Sequence, residues 1–148
     1  MKKIGVIADP HSNLQALEAV LDDMPRVDKI VCAGDLVGYG GQPNEVVETA
    51  RSREISSVRG NHDHAVLTRE VSSFNSYAAK AALWTNEVLT KDNKKYLENL
   101  PEEMEFEENK QKIYVVHGSP RRPLMEYIFP GSSNQELVRL TKGVNAPP

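Results

Sequence analysis

Four short stretches carry side chains that could do chemistry together: Asp9-Pro10-His11, Gly34-Asp35, Gly60-Asn61-His62-Asp63 and His117-Gly118. They hold carboxylates, an amide and three of the chain's four histidines. Imidazole nitrogens mixed with carboxylate and amide oxygens, without thiolate, suit borderline divalent metals such as Mn, Fe, Zn, Co or Ni. A carboxylate can bridge two ions, and two ions about 3.5–4 Å apart clamp a phosphate and lower the pKa of a shared water. Taken singly, each stretch has an ordinary reading. Gly-Asp and Gly-Asn are common turn chemistry, because Asn and Asp make local backbone hydrogen bonds there. Four such stretches in the same structural context point instead to a metal or phosphate site. The fourth histidine, His64, falls on the segment after the turn and is read as a surface or supporting residue.

That common context is the end of a strand. The apolar runs "KIGVIA" (3–8), "KIVCA" (29–33) and "ISSV" (55–58) each read as a short buried strand,. Between them, Leu14, Leu17, Leu21 and Met24 recur at helical spacing, with Ser12 and Gln15 suggesting a capping box,. Pro43 suits the first turn of a second helix, "PNEVVETARSR",. Strands alternating with helices imply a mainly parallel α/β sheet of four or five strands. The strand C-termini of such a sheet lie along one edge, where ligands bind. Asp35, at the end of the central strand, is the natural bridging carboxylate.

Downstream, a helix over about 76–89 puts Tyr77, Ala81, Trp84 and Val88 on one face, read as core packing,. A shorter helix follows over about 91–99, ending at Leu100-Pro101. "EMEFE" alternates with period two, and "KIYVV" is a strand that delivers His117. An irregular stretch runs over 118–131, and its loop 119–131, with Arg121 and Arg122, is expected to border the substrate together with the segment 73–99. The last helix starts with Ser133 and Glu136 as a capping box, and Gly143 is its expected stop,.

Length and composition set the outer bounds. One domain fits in 148 residues, which are enough for a core without staples,. The net charge of −3 gives no overall attraction to nucleic acid or anionic membrane, so phosphate chemistry needs local cations,. Cys32 is the single cysteine, which rules out an internal disulfide and a cysteine-based zinc cluster. In an apolar run it reads as a buried, inert thiol, consistent with a cytoplasmic protein. The apolar stretch behind Lys2 and Lys3 stops at Asp9, too short for a signal peptide or a membrane span,.

The series "DPH", "GDLVGYG", "RGNHD" and "HGSP" resembles the calcineurin-like metallophosphoesterases, closest to their small prokaryotic phosphodiesterase branch. The resemblance runs from Lys3 to about Ala146 and implies the N-terminal part of an α/β/β/α sandwich. It implies two divalent ions, manganese among the candidates. Asp9, His11 and Asp35 would hold the first, with Asp35 bridging to a second held by Asn61 and His117. His62 would be the uncoordinated acid serving the leaving alkoxide, oriented by Asp63. A bridging hydroxide would attack the phosphorus of a small phosphoester, a diester in preference to a monoester. The family's further Gly-His-x-His motif, due after "KGVNA", has no counterpart before Pro147-Pro148. The domain therefore reads as 1–148 of a shortened fold, with much of the second sheet lacking. A sheet face left uncovered predicts a homo-oligomer.

The competing reading, carried by the same missing motif, is a catalytically weak or inactive metal- or phosphate-binding module acting through a partner. A dinucleotide-binding domain is disfavoured, because the first strand–helix turn lacks the glycines that bring a backbone close to pyrophosphate.

Overall fold

The computed structural model describes residues 1–142 and Val144. Strand β1 (Ile4–Ile7), helix α1 (Leu14–Asp23), strand β2 (Lys29–Cys32), helix α2 (Pro43–Ser52) and strand β3 (Ser56–Ser57) form two successive strand–helix–strand units. The three strands pair in parallel in the order β1-β2-β3, so β2 is central. Helices α3 (Asn61–Thr68), α4 (Ser76–Val88) and α5 (Lys91–Glu98) follow, then strands β4 (Glu103–Glu108) and β5 (Gln111–Val116) and helix α6 (Asn134–Leu140).

Period-two alternation decides which side of the sheet each residue serves. Ile7, Ile30 and Cys32 face the helices and join Leu17, Val46, Val47, Val66, Ala82 and Leu97 in one core. Ile4, Val6 and Val31 face the other way, toward Phe106, Ile113 and Val115 of the β4–β5 hairpin, across a gap of about 350 Å³. The fold is thus α/β, with a parallel sheet flanked by helices on one side and a hairpin on the other. The sheet has three strands rather than four or five. β4 and β5 pair antiparallel with each other in a sheet of their own, because a two-residue turn at Asn109-Lys110 joins them directly,.

Two local expectations change. Ser12 does not cap α1; Asn13 does, accepting from Ala16 N at 3.1 Å. Ser12 is instead fully buried, its hydroxyl accepting from Gly38 N at 3.2 Å. The face of α4 that packs inward carries Ala78, Ala82 and Thr85, whereas Tyr77 (82 % exposed), Trp84 and Val88 point outward. Small residues let α4 approach α2 and α3 closely, and a Tyr–Trp stripe would hold it off. Ser133 caps α6 as expected, accepting from Glu136 N at 3.2 Å. The stop at Gly143 and the segment where a Gly-His-x-His strand is due fall outside the described residues. Among the described residues, no helix is long and apolar enough to cross a membrane.

Candidate active site

Beyond the strand ends, the loops after β1 and β2 run on side by side as a bonded pair. Asp9 N donates to Gly34 O at 3.1 Å, His11 N to Asp35 O at 3.0 Å and Ser12 N to Leu36 O at 2.9 Å. Asp9, His11, Ser12 and Asp35 all have positive φ, between 47° and 57°. Left-handed backbone costs a side-chain-bearing residue roughly 1–2 kcal/mol, so four in two adjacent turns mark a locally strained platform. Glycine allows the third loop to close on it. A Cβ on Gly34, which has φ +100°, would stand 2.9 Å from the Gly60 backbone, and one on Gly60 would collide with Asp35 Oδ1.

This packing brings Asp9, His11, Asp35, Asn61, His62 and His117 to one cleft of about 380 Å³. Asp35 sits at its floor, buried, with Oδ1 accepting from His62 N at 2.8 Å. Its other oxygen, Oδ2, lies 3.7 Å from His11 Nε2 and 3.5 Å from His117 Nε2. Two potential ligand groups result, His11–Asp35–His62 and Asp9–Asp35–His117, and Asp35 belongs to both. Asn61 joins the second group through its oxygen, 2.8 Å from His117 Nε2.

The protons show what this arrangement calls for. His117 Nδ1 lies 2.9 Å from Ala33 O, and His11 Nδ1 lies 3.2 Å from Val37 O. A carbonyl only accepts, so each Nδ1 donates its N–H there and each ring turns Nε2 toward the cleft. His117 Nε2, Asn61 Oδ1 and Asp35 Oδ2 lie close together at the cleft, Nε2 2.8 Å from the amide oxygen and 3.5 Å from the carboxylate oxygen. A ring nitrogen and two oxygens gathered in this way are the donor types that hold a borderline divalent cation. The charge balance agrees: burial, with the Asp63 carboxylate next in effect, pushes Asp35 up to about 8. A divalent ion reverses that by supplying the missing positive charge. The donor set present therefore fits the metals expected of it.

His62 is different in kind. Its ring lies 4.5 Å from that of Phe74, 4.8 Å from Tyr39 and 4.7 Å from His11, and its Nδ1 is buried without a partner. Burial, then the neighbouring His11 and His117, lowers it to about 4, so the ring is neutral at pH 7. Asp63 does not orient it. The Asp63 carboxylate is fully buried and accepts from Gly60 N at 2.9 Å and Val37 N at 3.0 Å, tying the loop after β2 to the start of α3.

The 119–131 loop does border the cleft, through Leu124, Glu126, Tyr127 and Ile128, whereas the segment 73–99 does not line it and approaches only through Phe74 against His62. Arg121 points elsewhere and pairs with Glu126. Tyr39 and Tyr127 were missed as site residues. The position of Tyr39, four residues after Asp35, was a usable signal; Tyr127 sits in an irregular loop whose path no periodicity predicts.

Comparison with known proteins agrees with this geometry. Residues 1–145 match the calcineurin-like phosphoesterase superfamily domain. An uncharacterised protein of Methanocaldococcus jannaschii is 47 % identical over 131 residues, covering 86 % of this chain and 54 % of that protein. The crystal structure of a metallophosphoesterase from Sphaerobacter thermophilus is 45 % identical, covers 86 % of this chain and 51 % of its own, and superposes with a TM-score of 0.69. A hypothetical protein from Pyrococcus horikoshii shares the fold at 20 % identity, with a TM-score of 0.81 over 95 % of this chain and 64 % of its own. The chain thus spans about half the length of the first two relatives. With strand-end side chains of ligand type, loop pairing and family match in agreement, the chain belongs to the calcineurin-like phosphoesterase superfamily.

Proposed function

We propose that this domain hydrolyses small phosphodiesters with two divalent cations. The observation that carries the reading is the gathering of ligand types around one buried carboxylate: Asp35 Oδ2 lies 3.5 Å from His117 Nε2 and 3.7 Å from His11 Nε2, Asn61 Oδ1 lies 2.8 Å from His117 Nε2, and Asp35 belongs to both potential ligand groups. Asp9, His11 and Asp35 would hold one cation, Asn61 and His117 the other, with Asp35 shared. Bound there, the cations supply Lewis-acid charge for the phosphate and lower the pKa of the hydrolytic water.

The protein's own groups do the rest. The Ala33 and Val37 carbonyls lock the two imidazoles with Nε2 facing inward, the usual way an outer hydrogen bond fixes a ligand,. His62 N–H holds Asp35 Oδ1, leaving Oδ2 free for the ions. The neutral His62 ring lies beside the cleft floor, where it would hydrogen-bond the substrate and protonate the leaving alkoxide once substrate charge raises its basicity. Tyr39 and Phe74 pack against that ring and limit its contact with water.

A second reading has one observation in its favour: the chain matches only about half of its relatives' length. On that reading the domain binds metal or phosphate but turns over slowly by itself. Metal analysis of the purified chain beside hydrolysis of bis(4-nitrophenyl) phosphate and 4-nitrophenyl phosphate separates the two. Bound metal with faster diester than monoester turnover is expected. Metal without turnover favours the binding module, and no metal at all overturns both.

A further inference from the structure

Two tyrosines, Tyr39 and Tyr127, line the cleft with no part in holding cations. Tyr39, 50 % exposed, sets its ring edge-on to His11 with centroids 5.0 Å apart. Tyr127 lies nearly parallel to Phe129 just outside the lining, the two 65 % and 68 % exposed, with 22° between planes and 6.2 Å between centroids. Tyr127 reaches the cleft floor, where Asn61 Nδ2 donates to its hydroxyl over 3.4 Å. A single exposed aromatic is ordinary. Two half-exposed tyrosines lining one polar cleft, one of them backed by a parallel ring, are a reason to ask what they contact.

The lining narrows the answer. No Lys or Arg is among the described residues that line the cleft, so a polyphosphate tail or a second anionic group would find no counter-charge from the chain. Leu124 and Ile128 add apolar surface on the Tyr127 side. A cleft of about 380 Å³ is of the size that takes one small molecule rather than a polymer,. Aromatic faces select a planar ring, and they tolerate any nucleobase because every base has a π-face. Tyr127 holds its hydroxyl at Asn61 and its ring beside the exposed Phe129, so one side chain links the ligand cluster to the aromatic surface.

We propose that Tyr127 and Phe129 form a base-stacking platform at the cleft that Tyr39 also lines, and that the substrate is a mononucleotide phosphodiester. The inference rests on the hydrolytic reading above. Its phosphorus lies at the Asp35 end and its base lies against Tyr127. Tyr127 is the specificity-determining residue, and Phe129 backs it.

Two esters test this: thymidine 5′-(4-nitrophenyl phosphate) and methyl 4-nitrophenyl phosphate, which share a leaving group and differ in the group retained. With the manganese-loaded chain, KM for the thymidyl ester is expected to be about 5- to 100-fold lower, the usual worth of one base–aromatic stack. Tyr127→Leu combined with Phe129→Leu should bring the ratio of the two KM values close to one, and Tyr127→Phe, which keeps the ring, should preserve it. Calorimetry on the chelated protein gives a readout free of turnover: adenosine monophosphate should bind at least about fivefold more tightly than ribose 5-phosphate. Equal KM values for the two esters, or a preference that survives the double leucine variant, overturns the platform. Turnover of neither ester counts against the hydrolytic reading, and the calorimetric comparison then decides the platform alone.

Discussion

Asp35 is costly to the empty protein, and that cost marks its role. Its native carboxyl titrates near 8 against an ordinary 3.8, so folding favours the protonated form and stability is lost as pH rises between those values,. His62 has the opposite sign: lowered from 6.5 to about 4, it stabilises the fold above 6.5 and loses that contribution as pH falls toward 4,. The two oppose each other between pH 4 and 6.5, and above 6.5 the loss comes from the carboxyls that burial raises, Asp35 and the fully buried Asp63 beside it. The chelated protein should therefore lose stability from pH 6.5 to 8, and manganese should restore it. Asp35→Asn should stabilise the chelated protein at pH 8 by more than about 1.4 kcal/mol, the worth of one pKa unit, while abolishing stabilisation by metal. Denaturant unfolding with and without chelator checks both halves; metal-dependent stabilisation that persists in Asp35→Asn would show that this carboxylate is not shared. His62→Ala should keep its metal and lose roughly two to four powers of ten in turnover, less for nitrophenyl esters than for alkyl esters. Metal analysis and a leaving-group series separate that role from ligation.

At the scale of elements, the site depends on how closely three loops approach. Gly60 sits where any Cβ would strike Asp35 Oδ1, and the Gly60 and Val37 amides share the buried Asp63 carboxylate. Gly60→Ala should therefore cost about 1–3 kcal/mol as an overpacking change and also weaken metal binding. Thermal unfolding and a metal titration measure the two effects; a stable variant with unchanged affinity would mean that the loops yield. Helix α4 offers the complementary case. Ala82 is fully buried against the core, so Ala82→Leu should destabilise by about 1–3 kcal/mol,. Tyr77→Gln, on the exposed stripe that looks like a core face in sequence, should stay within about 0.5 kcal/mol,.

For the molecule as a whole, the hairpin covers the second sheet face only in part. Val6 is 70 % exposed, and the gap beneath the hairpin is lined by apolar side chains. Such surface favours association. Sedimentation of the chain should show a dimer or larger at micromolar concentration, and Val6→Lys should shift it toward monomer. A wild-type chain that sediments as a compact monomer would remove this expectation.

Much of the site was legible before any coordinates, because strand-end positions are read from local periodicity and a parallel sheet brings strand ends together by geometry. Asp9, His11, Asp35, Asn61 and His62 reach one cleft for that reason, whereas His117 is delivered from the end of β5 in the separate antiparallel hairpin. The parallel order of the first three strands and most helix boundaries follow from the same short-range signals. Tertiary structure decided what depends on which neighbour arrives. Asp63 binds backbone amides rather than His62, and Ser12 gives up its cap to tie down Gly38. α4 buries alanines in place of its aromatic stripe, because the fit between helices depends on side-chain volume on both partners, which a hydrophobic period does not encode. Proton placement at His11 and His117 is the clearest case. It is set by carbonyls 26 and 84 residues away in the chain, and those distances close only when the sheet has formed.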